Sequence, residues 1–136
     1  MSLAISEDSN EIALVLKEEG NKAFKEEKYK LAYDFYSKAI EEQQKLTDKG
    51  TIAILLCNRA AVHLKTQNYA QCVTDCEMAI TIAPQLMKAY YRRAQAYSAL
   101  GDSKKAYADL HLLLRMDSKK ADVIELMRTV KAGIQQ

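Results

Sequence analysis

The feature that most restricts the fold of this chain is a spacing that returns three times along its 136 residues. Counted from Ala13, the eighth, twentieth and twenty-seventh places hold Gly20, Ala32 and Ala39. Counted from Ala53 they hold Ala60, Cys72 and Ala79, and counted from Met87 they hold Ala94, Ala106 and Leu113. The second and third counts start 34 residues apart and the first two 40 apart, so about six extra residues sit near "QQKLTDKG". Small residues at such places let two antiparallel helices approach closely, while Phe24, Tyr29, Tyr36, Tyr69, Tyr90 and Tyr97 fill the gaps between them. Neither helix of such a pair can bury its apolar face alone, so the pairs must stack on one another.

A 34-residue helix-pair spacing resembles that of the tetratricopeptide repeat (TPR). The expected fold is all-α: three TPR helix pairs over about 13–46, 53–86 and 87–118, closed by a capping helix over 119–133. Such pairs form a right-handed superhelical solenoid with a concave peptide groove. Residues 1–8 are expected to be a flexible N-terminal segment ahead of a single TPR domain spanning 9–133. The spacing predicts helices over 9–27, 29–46, 51–67, 69–82, 86–100, 103–116 and 119–133. The breaks fall at "EEKY", "TDKG", "TQNY", "APQ", "LGDS" and "MDSKK", which are turn or capping sequences. In the last helix Val123, Leu126, Met127 and Val130 recur at helical spacing and cover the open end of the stack.

Composition excludes several functions. The 20 Lys and Arg against 18 Asp and Glu leave a net charge of +2, too small to indicate nucleic acid. No apolar run reaches membrane-span length, and the opening "MSLAISEDSNE" lacks the basic and apolar regions of a secretory signal. Three Cys without a CxxC pattern point to free thiols in a reducing compartment, so a cytoplasmic location is expected. Cys72 and Cys76 are four residues apart, but both occupy packing places and read as core thiols rather than a metal or redox pair. No phosphate loop, nucleophile elbow or clustered metal ligands occur, so neither an enzyme nor a cofactor or metal is expected.

The stretch "MKAYYRRAQAY" carries Lys88, Arg92 and Arg93 among Ala and Tyr, with no acid to pair them. At about 100° per residue, places 4, 8 and 11 of each first helix share one face, which packs on the partner helix. They hold Leu16, Gly20 and Ala23; Leu56, Ala60 and His63; and Tyr90, Ala94 and Tyr97. Places 2, 5, 6, 9 and 13 lie opposite and line the concave wall. That wall gathers Lys17, Asn21, Lys25, Asn58, Lys65, Lys88 and Arg92, while Glu18, Glu19, Glu26, Asp75 and Glu77 are expected at the margins or outside. Arg93 turns about 100° off the wall and is expected to flank the helix or pair with an acid on a neighbouring one.

Cations and amides facing each other across a groove suit a short acidic peptide with a free C-terminal carboxylate. The stretches "LKEEGNKAFK", "LLCNRAAVHLK" and "MKAYYRRAQAYSALG" resemble the helix signatures of chaperone-adaptor TPR domains of the carboxylate-clamp type. The resemblance implies binding to the C-terminal EEVD peptide of the ninety-kilodalton heat-shock chaperone, with the seventy-kilodalton one as a second candidate. It also implies a monomeric co-chaperone adaptor that meets neither nucleic acid nor membrane. All five clamp positions match: Lys17, Asn21, Asn58, Lys88 and Arg92. The same resemblance gives Phe24 and Ala61 to a pocket for the terminal Val, and Lys65 and Gln85 to the upstream acid and backbone. The connection "EEQQKLTDKGTIAILLCNRA" and the end "VIELMRTVKAGI" are similar to the N-terminal domain of the UCS family of myosin chaperones, which implies a role in myosin folding. Two alternatives stand beside this reading. One is a generic TPR scaffold that holds another acidic or internal peptide, and the other is Asn58 as a buried bond between helices.

Overall fold

The computed structural model describes residues 2–46, 49–117 and 120–135. Among them seven helices follow in order: α1 (Ser2–Lys25), α2 (Tyr29–Gln43), α3 (Gly50–Lys65), α4 (Tyr69–Ile82), α5 (Met87–Ala99), α6 (Ser103–Met116) and α7 (Ala121–Gln135). Each helix packs on the next in sequence, and α3 also touches α5, so the first helices of the second and third pairs lie side by side. Three hairpins and a closing helix result, as the small-residue spacing requires.

Two boundaries differ from expectation. Residues 2–8 of the segment expected to be flexible are helical, because α1 begins at Ser2. That stretch holds no Pro or Gly, and extending a helix already nucleated by packing costs little. The capping helix, expected over 119–133, runs from Ala121 to Gln135. Its expected first residue, Lys119, and Ser118 lie outside the described residues, as do Thr47 and Asp48 of the break at "TDKG".

The turns inside the three hairpins are one structure repeated. Lys28 N–H donates to Ala23 C=O at 2.9 Å, Asn68 N–H to His63 C=O at 2.8 Å, and Asp102 N–H to Tyr97 C=O at 2.9 Å. The residue before each donor has a left-handed backbone: Glu27 at φ 60°, Gln67 at φ 61° and Gly101 at φ 84°. This helix-ending motif prefers Gly at that position. Only the third hairpin provides one.

The core is built from the expected places. Ala32, Ala39, Ala60, Cys72, Cys76, Ala79, Ala94 and Ala106 are wholly buried, and Leu113 is 1% exposed. Gly20 does more than remain small. A Cβ there would stand 2.6 Å from Cε1 of Tyr36, so only Gly lets the Tyr36 ring lie against α1.

Candidate functional site

An open hollow of about 240 Å³ lies between α1, α3 and α5. Asn21, Phe24 and Lys25 from α1, Tyr36 from α2, Asn58 and Ala61 from α3, and Arg92 from α5 line it. Two further hollows continue it on either side. One, about 440 Å³, is lined by Phe24, Ala61, Leu64, Lys65, Tyr69, Arg92, Gln95 and Ala99. The other, about 300 Å³, reaches α7 and is lined by Met87, Lys88, Tyr91, Arg92, Gln95, Leu113, Lys120, Asp122 and Val123. Arg92 belongs to all three, so its guanidinium stands at the junction of the groove.

Of the nine residues predicted from the sequence, the central hollow brings together Asn21, Phe24, Asn58, Ala61 and Arg92. Lys65 and Lys88 join through the flanking hollows. Lys17 and Gln85 line none of the three. Lys17 is half-buried one helical turn before Asn21, and Gln85 is exposed in the turn before α5. Among the described residues, Lys17, Lys65 and Lys88 take part in no ion pair, so their charges are not neutralised internally. Asn58 is half-buried and lines the hollow.

Two groups that hold this wall in place were not predicted as site residues. Tyr36 donates its hydroxyl to Asn21 Oδ1 at 2.5 Å. Arg92 Nη1 donates to the Cys57 carbonyl at 2.8 Å and lies 3.0 Å from Cys57 Sγ. Burial pushes the Cys57 thiol above its usual pKa, although the neighbouring Arg92 opposes that shift. Cys57 is therefore a neutral thiol rather than a reactive thiolate. Repeat alignment carries a signal for Tyr36, since it stands across from the one Gly at its layer of the stack.

The two remaining arginines of these helices face elsewhere. Arg93, expected to flank the helix or pair with an acid, donates through Nε and Nη2 to Asp109 at 2.8 and 2.7 Å. Arg59 makes the same fork with Asp75 at 2.8 Å on both arms, and also donates to Ser37 Oγ at 3.1 Å. Asp75 was expected at the margin or outside. It is instead 4% exposed, and His63 Nε2 stands 3.3 Å from its carboxylate. Burial alone would raise the Asp75 carboxyl, but the bonds from Arg59 and His63 outweigh it and hold it below its ordinary value. The charge sorting is therefore physical: Arg59 and Arg93 are neutralised between helices, whereas Arg92 keeps its charge in the groove.

The sequence pattern of the family described as Tetratricopeptide repeat matches residues 88–120. Human protein unc-45 homolog B is 39% identical over 125 residues, 91% of this chain but 13% of that protein. The chain thus spans about an eighth of the length of that relative. The first TPR domain of human RPAP3, solved by NMR, is 30% identical with a TM-score of 0.83, covering 91% of this chain and 93% of that one. The first TPR of Spaghetti (RPAP3), solved bound to the HSP90 peptide SRMEEVD, is 29% identical with a TM-score of 0.85, covering 93% and 95%. With three helix pairs in a row, a closing helix and relatives that match over nearly its whole length, this chain belongs to the tetratricopeptide-repeat family.

Proposed function

We propose that this TPR domain is a co-chaperone adaptor that binds the C-terminal EEVD peptide of cytosolic heat-shock chaperones through a carboxylate clamp. The clamp is Lys17, Asn21, Asn58, Lys88 and Arg92. Phe24 and Ala61 take the terminal Val, while Lys65 and Gln85 meet the upstream acid and backbone. The observation that carries this reading is the central hollow, where two Asn amides and an arginine converge beside an apolar floor of Phe24 and Ala61. Amide and guanidinium donors are charge-assisted partners for a carboxylate, and a small apolar recess beside them suits a short aliphatic side chain. The likeness to the RPAP3 domain solved with SRMEEVD supports the same ligand, and the likeness to the UNC-45 chaperone, whose structure is described as bearing on binding and folding muscle myosin, supports a myosin client.

The proposed ligand is the C-terminal EEVD peptide of the ninety-kilodalton chaperone, with that of the seventy-kilodalton chaperone as a second candidate. A few charged contacts on a preformed groove, less the cost of ordering the peptide, give roughly micromolar affinity. The test is calorimetric titration with EEVD-ending peptides of both chaperones, each as free acid and as C-terminal amide. Free-acid binding that weakens with salt and nearly vanishes on amidation supports the clamp. Equal binding of both forms refutes it and favours a scaffold for internal acidic peptides.

A further inference from the structure

Tyr36 occupies the twenty-fourth place of the first repeat, where the second and third hold Cys76 and Leu110. Only the first repeat brings a hydroxyl to that layer. The ring is 2% exposed, and Gly20 leaves the space in which it lies against α1. Its hydroxyl thereby arrives at the next residue of α1 and donates to Asn21 Oδ1 at 2.5 Å. Although buried as a whole, Tyr36 lines the same hollow as Asn21, Asn58 and Arg92. Burial pushes its phenol above the usual pKa, and the charge of Arg92 pulls the other way without reversing the shift. The hydroxyl therefore keeps its proton at neutral pH and remains a donor.

A side-chain amide has one acceptor end and one donor end, and the two differ only by a half-turn about its last torsion. With Oδ1 engaged by Tyr36, the Nδ2 protons are left out of that bond, on a residue that lines the open hollow. Turned the other way, Oδ1 would meet an incoming carboxylate, and two acceptors would repel. We infer that Tyr36 is a positioning residue of the clamp, whose hydroxyl fixes the Asn21 amide with its donors toward a bound carboxylate. The inference rests on the clamp reading proposed above. It adds that the donor orientation is set before ligand arrives, by a residue that need not touch the ligand.

The test is a mutant cycle on the whole chain, with calorimetric titration of free-acid and amidated EEVD peptides and a thermal melt of every variant. Tyr36→Phe keeps the ring and removes the hydroxyl. It is expected to weaken free-acid binding by about three- to tenfold, the size of one hydrogen bond, and to leave the weak amidated binding unchanged. In the Asn21→Ala background Tyr36→Phe is expected to have no further effect, because there is no amide left to orient. Unchanged affinity in Tyr36→Phe overturns the inference. So does an equal loss in the presence and absence of Asn21, which would mean that the hydroxyl acts by another route. A wild-type domain indifferent to amidation instead overturns the clamp itself, so the two failures are distinguishable. Should Tyr36→Phe unfold, the wild-type protein still answers by NMR. A bond to Asn21 protects the Tyr36 hydroxyl proton from water, and exchange as fast as in free tyrosine overturns the inference.

Discussion

Arg92 and Arg93 are adjacent and carry the same charge, but helical rotation of about 100° gives them opposite tasks. Arg93→Ala removes both arms of the fork to Asp109 and leaves a carboxylate whose side chain is 8% exposed without its partner. Breaking a buried pair by removing one member costs about 3–5 kcal/mol, and the 19% exposure of the Arg93 side chain places it at the low end, about 3 kcal/mol. For a domain of this size each kcal/mol lowers the melting temperature by about 3–5 °C, so Tm falls by about 10 °C. Arg92→Ala loses its bond to the Cys57 carbonyl, worth about 1 kcal/mol, and lowers Tm by about 4 °C. Binding reverses the order. Arg92→Ala weakens the free-acid EEVD peptide about tenfold or more, since it removes a charge-assisted contact. Arg93→Ala leaves the affinity of the folded protein within about twofold, because its guanidinium is off the groove. Circular dichroism melts and calorimetric titration at 15–20 °C, where about 3 kcal/mol of lost stability still leaves the domain folded, separate the two effects. Equal losses of affinity for the two variants refute the assignment of faces. A wild-type Tm for Arg93→Ala refutes the buried pair.

Three further outcomes follow from particular residues. Glu27→Gly and Gln67→Gly each relieve a left-handed backbone and are expected to raise stability by about 0.5–1 kcal/mol, while Gly101→Ala lowers it by about 1, all read from urea midpoints. The depressed Asp75 carboxyl contributes stability that is fully present above the unfolded carboxylate pKa of about 3.9 and is lost as pH falls through its lower folded value. Melts from pH 6 to pH 2 are therefore expected to be flat above about pH 5 and to fall below about pH 4, with a shallower fall in Asp75→Asn. Cys76→Ser places a hydroxyl at a wholly buried site and is expected to cost about 1–2 kcal/mol without changing peptide affinity. Cys72→Ser costs less, because Cys72 Sγ already faces the Arg92 carbonyl at 3.7 Å, and an equal or larger cost contradicts that account.

The sequence by itself determined which residues lie on which face. Helical rotation is local, so the burial of Ala60, Ala94 and Ala106 follows from spacing alone, as does the turn of Arg93 away from Arg92 toward an acid on the next helix. The same logic placed Asn21, Asn58 and Arg92 on one wall, and they do line one hollow. It also puts the members of both buried pairs at matching places of their repeats. Arg59 and Arg93 share the seventh place of their repeats, and Asp75 and Asp109 share the twenty-third.

Tertiary structure alone decided what touches what. The bond from Tyr36 to Asn21 spans 15 residues and that from Arg92 to Cys57 spans 35, distances that are set by how closely whole helices pack and not by any local period. Asp75 shows the same division. Taken alone, its charge argues for the surface, since burying a carboxylate without partners is costly. Once α3 lies against α4, the Arg59 fork and His63 satisfy that carboxylate, and the interior becomes its place. Periodicity names the face a side chain is on; only the distance between helices decides whether a partner there can reach it.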